Sequence, residues 1–320
     1  MKAQFAIACL GSLALLLAAA TAQGSCGTAF CVLNTDWSTQ GVAAEPGTAK
    51  LDLRYEFVDQ KHLREGTRRI GAAEDPNDPA ESRTINRNLV TTLDYALTKN
   101  WAASVSAPAV SRSHSHIADP TGTATQETWN FTKVGDARVL GHYRFDSAGG
   151  PAVNYGLSFG LKLPTGDYKV MNDGGVPAER MLQPGTGSTD AIAGGYYAAP
   201  GFHPDSSWFA QGLLQWAVGT KDEYRPGNQY QVNLGYRYPI GQELQGLLQL
   251  NALVRGHDSG ANAEPDLSGS KTVFLSPGLS CALTHDFQIY SFLQLPIYRQ
   301  VNGVQLSADW AFVAGATLRF

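Results

Sequence analysis

Residues 307–320 read SADWAFVAGATLRF, in which large apolar residues alternate with small or polar ones. An extended strand points successive side chains to opposite faces. One face is therefore apolar and edged with aromatic rings, and it carries Trp310, Phe312, Ala314, Ala316, Leu318 and Phe320. This arrangement is typical of a strand that is apolar toward lipid and polar toward a lumen.

The same alternation recurs along the chain. In residues 49–57 every second residue, from Lys50 to Glu56, is charged. A helix would distribute these charges around its axis, whereas a strand collects them on one face. We count about twelve such segments, an even number as in single-chain bacterial barrels. The sequence therefore predicts an all-β fold, a transmembrane up-and-down antiparallel β-barrel of about 12 strands.

The predicted connections alternate in length. Those after odd-numbered strands are mostly long and those after even-numbered strands mostly short, for example residues 164–188 against residues 98–100. Bacterial barrels have short periplasmic turns and long extracellular loops, so we expect the same orientation here. One of the long loops is predicted to run from His116 to about Val134.

The positions of the charged residues support these strand assignments. A Lys or Arg facing lipid near the bilayer midplane costs about 2–4 kcal/mol. In the predicted registers, the charges of the clearest strands point inward. The exception is Arg87, which we place near the outer end of its strand, where the cost is smaller.

The first residues resemble a secretory signal. Lys2 precedes an apolar run over residues 5–20, and Ala20-Thr21-Ala22 forms a small-residue cleavage site. A membrane helix is the less favoured alternative, because Gly11 and Ser12 interrupt the run. We expect a signal peptide over residues 1–22, a periplasmic segment over 23–47 and an outer-membrane barrel over 48–320.

Composition narrows the possible functions. The net charge is -4, and basic and acidic residues nearly balance, so nothing points to nucleic-acid binding. After the signal, no run of about 18 apolar residues could form a membrane helix. Only 16% of residues are charged, which is low for a soluble protein of this size.

Four stretches resemble a known family. They are residues 160–167 (GLKLPTGD), 183–188 (QPGTGS), 276–278 (SPG) and 296–306 (PIYRQVNGVQL). In order and spacing they are similar to the proteobacterial outer-membrane proteins named for the meta-pathway of phenol degradation. The resemblance implies a barrel that takes up small aromatic or other organic molecules, and it implies no catalytic residues.

Several charged residues are predicted to face the lumen. The candidates for selectivity are Arg54, Glu56, Arg138, Arg144, Arg237 and Arg255. Rings of charge can set the ion selectivity of a pore. The other interpretation is that these charges only pair with one another in a narrow lumen. Barrels of about eight strands are filled by side chains, whereas porins of about 16–18 strands hold an aqueous channel. Twelve strands lie between these sizes, so a narrow pore and a filled lumen are both possible.

Two histidines share one face of an extended segment. His114 and His116 could bind a transition metal, with His62 or His257 contributed by neighbouring loops. The alternative is that they belong to a polar outer rim. No Cys or carboxylate cluster lies near them in the sequence, so we favour the rim and predict neither metal nor cofactor.

The cysteines give a separate hypothesis. Cys26 and Cys31 lie in the exported segment, where a local disulfide can form, and their spacing matches no haem or redox motif. They could instead contact a periplasmic partner. Cys281 is predicted to be a small apolar residue of the wall.

An enzyme is the least favoured class. Ser113 beside His114, or Ser115 beside His116, could begin a hydrolase site, but neighbours on a strand point to opposite faces. We expect a passive channel for small solutes. The alternative is a closed scaffold that docks a periplasmic partner through the Cys-containing segment. The expected partners are the lipid bilayer, small-molecule solutes and, through the C-terminal strand, the outer-membrane assembly machinery, with no nucleic acid.

Overall fold

The computed structural model describes residues 45–75, 80–118, 125–146 and 153–320. The predicted signal (1–22), nearly all of the predicted periplasmic segment (23–47) and both Cys26 and Cys31 lie outside the described residues. The helices in the described ranges are two 3₁₀ turns, Ala72–Glu74 and Pro265–Leu267. Neither is long and apolar enough to cross a membrane.

Antiparallel strands make up most of the described chain. In chain order they are β1 (Ala49–Glu65), β2 (Arg68–Arg69), β3 (Ala80–Ala96), β4 (Trp101–Ala118), β5 (Thr125–Val134), β6 (Ala137–Arg144), β7 (Asn154–Leu163), β8 (Thr189–Pro200), β9 (Ser207–Gly219), β10 (Gln229–Pro239), β11 (Leu244–Arg255), β12 (Ser270–Ala282), β13 (Phe287–Val301) and β14 (Val304–Arg319).

These strands close into a barrel. Each wall strand pairs with its neighbours, and β14 returns to pair with β1. The two-residue β2 pairs only with the end of β1. β5 and β6 form one wall strand, interrupted at Gly135 and Asp136, because both pair with β4. The described wall therefore has twelve strands, which confirms the predicted antiparallel barrel.

The predicted loop from His116 to Val134 is wrong in its second half. Thr125–Val134 forms β5, which extends the hairpin with β4 beyond the main barrel. Its outer face is polar, and Thr132 donates a hydrogen bond to Ser111 across the hairpin (3.1 Å). A strand that contacts water on its outer face lacks the apolar alternation by which the other strands were found.

The two ends of the barrel differ as expected. At one end the connections span residues 97–100, 145–153, 201–206, 240–243 and 283–286, whereas the other end has longer ones, up to residues 164–188. The last connection at the long-loop end is an exception, since it is the tight turn Asn302-Gly303. Gly303 has φ +62°, which glycine adopts without strain. This difference between the ends fits the predicted orientation, with short turns toward the periplasm and long loops toward the exterior.

The outer surface forms an apolar belt. Each wall strand exposes alternate apolar residues, including Leu53, Leu93, Leu157, Val232 and Leu250. Near the short-turn end, aromatic rings form a row with centroids 4.9–6.3 Å apart, and they are Trp101, Tyr143, Phe145, Tyr155, Tyr197 and Trp208. Aromatic girdles of this kind mark the membrane–water interface of outer-membrane barrels.

The belt gives a testable prediction about stability. Leu250 pairs with Leu234 and Leu275 in the middle of the outer face, whereas Leu244 begins β11 near the short-turn end. We expect Leu250→Arg to lower the free energy of unfolding by about 2–4 kcal/mol, because the guanidinium meets hydrocarbon, and Leu244→Arg by only about 0–1 kcal/mol. Denaturant unfolding in liposomes measures both, and equal costs would contradict this placement of the belt.

Candidate functional site

One side of the lumen is filled by interlocked side chains. Asn251 donates hydrogen bonds to Asn233 (2.7 Å) and Gln249 (3.2 Å), and it accepts one from Ser276 (3.1 Å). Leu247, Phe292 and Val313 form an apolar cluster next to this network. Buried amides that bond to one another avoid the cost of desolvation without a partner. This side of the barrel is therefore closed to solutes.

A cavity of about 180 Å³ remains along the other side. Its charged lining has more basic than acidic groups. The basic residues are Arg54, Arg138, Lys162, Arg180 and Arg255, and the acidic residues are Glu56, Asp136 and Asp190. The cavity is therefore a charged, hydratable part of the lumen with a positive excess.

Three of these basic groups are neutralised by ion pairs. Arg54 contacts Glu56 (2.9 Å), and Arg255 contacts Asp258 (2.7 Å). Lys162 lies 3.2 Å from Asp136 and 3.0 Å from Asp190.

The other two basic groups have neutral partners. Arg138 donates to Gln215 (3.1 Å), and Arg180 donates to the carbonyls of Tyr168 and Thr186. Neither forms an ion pair with any residue that the structure describes. Since Lys162 faces two carboxylates, one negative charge of that cluster offsets one of these two arginines, and the cavity keeps a net excess of one positive charge.

The long loop of residues 164–188 folds into the barrel. Its Met181, Leu182 and Gln183 are buried. Arg112, itself buried in β4, donates to the carbonyl of Leu182, and Trp129 Nε1 donates to the carbonyl of Val176 (3.0 Å). Trp129 also packs on Ala178 and Leu182. These contacts hold the middle of the loop inside the wall.

The base of this loop is fixed by a polar anchor. Lys162 donates to Ser188 (3.0 Å) and to Thr186, while Thr186 donates its N–H to Asp136 (2.9 Å). A Cβ on Gly185 would lie 2.6 Å from backbone atoms of Gly166. Only glycine permits this approach. The stretches 160–167 and 183–188, which carry the family resemblance, thus encode the loop anchor.

Arg180 and its neighbours separate two cavities. A second cavity of about 910 Å³ lies among the long loops, and it shares Arg180, Met181, Gln183 and Tyr224 with the lumen cavity. The Arg180 guanidinium lies 4.5 Å from the ring centre of Tyr224 and 4.9 Å from that of Tyr168. Cation–π contacts of this kind hold the side chain in place. We call these four shared residues the partition.

Burial changes the acid–base properties of the loops. Desolvation lowers the pKa of the Arg180 guanidinium, which stays protonated because arginine does so throughout the accessible pH range. Desolvation, with the charge of Asp258, raises the pKa of Glu264 to about 7. Glu264 lines the loop cavity. That cavity therefore becomes less negative as the pH falls through 7.

The six predicted selectivity residues divide into two groups. Arg54, Glu56, Arg138 and Arg255 line the lumen cavity. Arg144 and Arg237 lie elsewhere, near the short-turn end: Arg144 donates to the carbonyl of Lys99 (2.7 Å), and Arg237 pairs in register with Ser207 and Leu247.

Sequence reasoning missed the residues that position the loop. They are Arg112, Trp129, Asp136 and Arg180, and each has a partner 30 or more residues away along the chain. Contacts between residues so far apart leave no local pattern in the sequence.

The histidine pair differs from the expectation. His114 and His116 are buried rather than part of a polar outer rim. The sequence shows no carboxylate cluster near the pair, but the fold brings Glu127 and Glu179 to 2.9 and 3.9 Å from His116.

The other two histidines do not join the pair. His62 contacts Asp309 (2.7 Å), and His257 contacts the carbonyl of Pro265.

The serines beside these histidines are poorly placed for catalysis. Ser113 lines a polar patch with Arg87, Asn130 and Thr132 on the outer face of the β4–β5 hairpin, opposite to His114. Arg87 is therefore outside the apolar belt, as expected. Cys281 lies in the wall, paired with Leu244 and Ile289, as a free thiol.

A family model described as "Putative MetA-pathway of phenol degradation" matches residues 84–304. No curated protein is similar enough in sequence to match the chain.

Three solved structures are similar to this barrel. The COG4313 outer membrane channel from Pseudomonas putida F1 is 14% identical, with a TM-score of 0.65 over 90% of this chain and 100% of the channel. The autotransporter AIDA-I transport unit from Escherichia coli is 10% identical, with a TM-score of 0.49 over 92% and 94%. The CymD monoaromatic hydrocarbon channel is 11% identical, with a TM-score of 0.45 over 87% and 89%. At 14% identity, the likeness to the COG4313 channel shows the fold alone. A closed barrel of this fold with a lipid-facing belt belongs in the bacterial outer membrane.

Proposed function

Because the chain belongs to the MetA-pathway of phenol degradation family, we propose that it is a passive outer-membrane channel for small organic molecules. The observation that carries the proposal is the charged lumen cavity inside a closed barrel, separated from the loop cavity by the four residues of the partition. A solute would enter among the long loops, pass Arg180 and reach the periplasm along the unfilled side of the lumen.

The chemistry of the partition indicates which solutes pass best. Arg138 and Arg180 favour anions, because their charges are not neutralised by an ion pair in the described part of the chain. Tyr168 and Tyr224 offer aromatic faces beside Arg180. Small aromatic carboxylates combine both features. The role of Arg54, Glu56 and Arg255 is to set the width and local charge of the path.

The second candidate is a closed scaffold that docks a periplasmic partner through the Cys26–Cys31 segment. It is favoured by the filled half of the lumen and by the small volume of the cavity, about 180 Å³. Neither function requires catalysis, and we propose no enzymatic activity. In both cases, β14, which closes the barrel by pairing with β1, would be the strand that the outer-membrane assembly machinery recognises.

Liposome swelling with a panel of solutes distinguishes the two candidates. A channel is expected to admit benzoate-sized anions faster than benzyl alcohol-sized neutral molecules and faster than cations of equal size, because of the positive excess in the cavity. Liposomes that contain the heat-denatured protein are the control. Swelling no faster than in this control, with every solute, would contradict the channel and favour the scaffold.

A further inference from the structure

The histidine pair of β4 forms a cluster with Glu179 of the in-folded loop. One nitrogen of His114, one of His116 and a carboxylate oxygen of Glu179 all lie within 4.8 Å of one another, and all three residues are buried. Two imidazoles and one carboxylate are a common ligand set for divalent zinc and its neighbours in the periodic table. The cluster lies on the lumen side of the wall.

The hydrogen bonds of the two rings leave the inner nitrogens available. Glu127 lies 2.9 Å from His116 Nε2, and because a carboxylate can only accept, Nε2 carries the proton of the neutral ring. Nδ1 then holds the lone pair. Thr84 Oγ1 lies 2.8 Å from His114 Nδ1 and can accept a hydrogen bond from Nδ1–H, which leaves the lone pair on Nε2.

These two inner nitrogens are buried without a hydrogen-bond partner among the described residues. A buried polar atom without a partner costs about 1–3 kcal/mol, and such atoms need an explanation in a native structure. A bound cation would supply the partner of both. The outer contacts with Glu127 and Thr84 are the kind that orient metal-binding imidazoles.

The surroundings also suit a cation. Glu127 and Glu179 bring negative charge to His116, and Glu81 is the cross-strand neighbour of His116 on β3. The nearby Arg112 is already engaged with Asn86 and with the carbonyl of Leu182. Glu179 also lines the loop cavity, which gives an ion a route from the exterior.

We propose that His114, His116 and Glu179 bind one divalent transition-metal ion of the zinc type. Ligand atoms bonded to a shared tetrahedral zinc at about 2.0–2.1 Å stand about 3.3 Å apart. Side-chain movements of about 1 Å therefore suffice to form the site. Since His114 and His116 belong to the wall and Glu179 to the loop of residues 164–188, the ion ties this loop to the barrel.

Zn²⁺ binding to the purified barrel tests the proposal. The protein carries no polyhistidine tag and has Cys26→Ser and Cys31→Ser, so that the N-terminal thiols cannot bind zinc. Calorimetric titration is expected to show one equivalent of Zn²⁺ per chain. His116→Ala and Glu179→Gln should weaken binding by more than the ~10–100-fold expected for the outer-contact variant Glu127→Gln.

Controls keep folding and binding apart. His285→Ala removes an exposed histidine in a short turn, and it should bind Zn²⁺ like the parent. Heat-modifiable migration in gels reports that each variant is a folded barrel. The absorption bands of bound Co²⁺ offer a second measure, and they should disappear in His116→Ala.

Two results would overturn the site. One is a folded parent that binds no Zn²⁺, and the other is unchanged binding in folded His116→Ala and Glu179→Gln. The measurement involves no transport, so its outcome is independent of whether the barrel conducts.

Discussion

Shortening the in-folded loop is expected to raise the single-channel conductance several-fold. The variant replaces residues 169–183 by Gly-Ser-Gly and so removes Arg180, Met181 and Gln183, three of the four residues of the partition. The anchor should survive, because Thr186 still bonds Asp136 and Gly185 N still lies beside Asp167 O (2.8 Å). The lumen and loop cavities then join into one wider path. Conductance in planar bilayers measures the change.

A matched variant in the same loop controls for nonspecific effects. Asp173 lies at the exposed tip, away from both cavities, so Asp173→Ser should leave the conductance unchanged. Equal conductance in the shortened and parent proteins, both shown to be folded by heat-modifiable migration, would show that the loop does not limit passage.

Neutralising Arg138 and Arg180, which form no ion pair in the described part of the chain, is expected to abolish most of the preference for anions. Arg138→Gln and Arg180→Gln keep hydrogen-bond donors and remove the charge. At about 8 Å and an effective dielectric constant of about 40, each charge favours a passing anion by about 1 kcal/mol, or about five-fold in permeability. The reversal potential in a KCl gradient should therefore move toward zero in each single variant and further in the double variant.

The outer arginine provides the control for selectivity. Arg87 lies on the polar outer face of the barrel extension, 6.0 Å from the ring of Phe57, and Arg87→Gln should not change the reversal potential. A parent channel that prefers cations, or a double variant with unchanged selectivity, would contradict the assignment of Arg138 and Arg180.

The wall of the barrel could be predicted because the side that each residue faces depends only on its position within its own strand. A residue of a wall strand faces lipid or the lumen according to whether its position in the strand is odd or even. The alternation alone therefore places Trp310 on the outside and Val313 on the inside. The same logic placed Arg54, Glu56 and Arg138 inward. It failed for Thr125–Val134, because the outer face of this strand contacts water and its residues there do not need to be apolar.

The loop could not be predicted, because its position depends on distant partners. Residues 164–188 have no period, and a chain rich in Gly and Pro is typical of an exposed connection. What draws the loop inward is the pairing of Leu182 with Arg112 and Trp129, 70 and 53 residues earlier in the chain. Likewise, the carboxylate of Glu179 reaches His116 only because the loop is folded in.

The conductance of the unmodified protein in planar bilayers tests the central claim most directly. Small, discrete and anion-preferring current steps are expected, because one side of the lumen is filled by side chains and the remaining path runs past the partition at Arg180. A protein that is folded and inserted yet carries no current at any voltage would contradict the channel, as would large porin-like steps without ion preference.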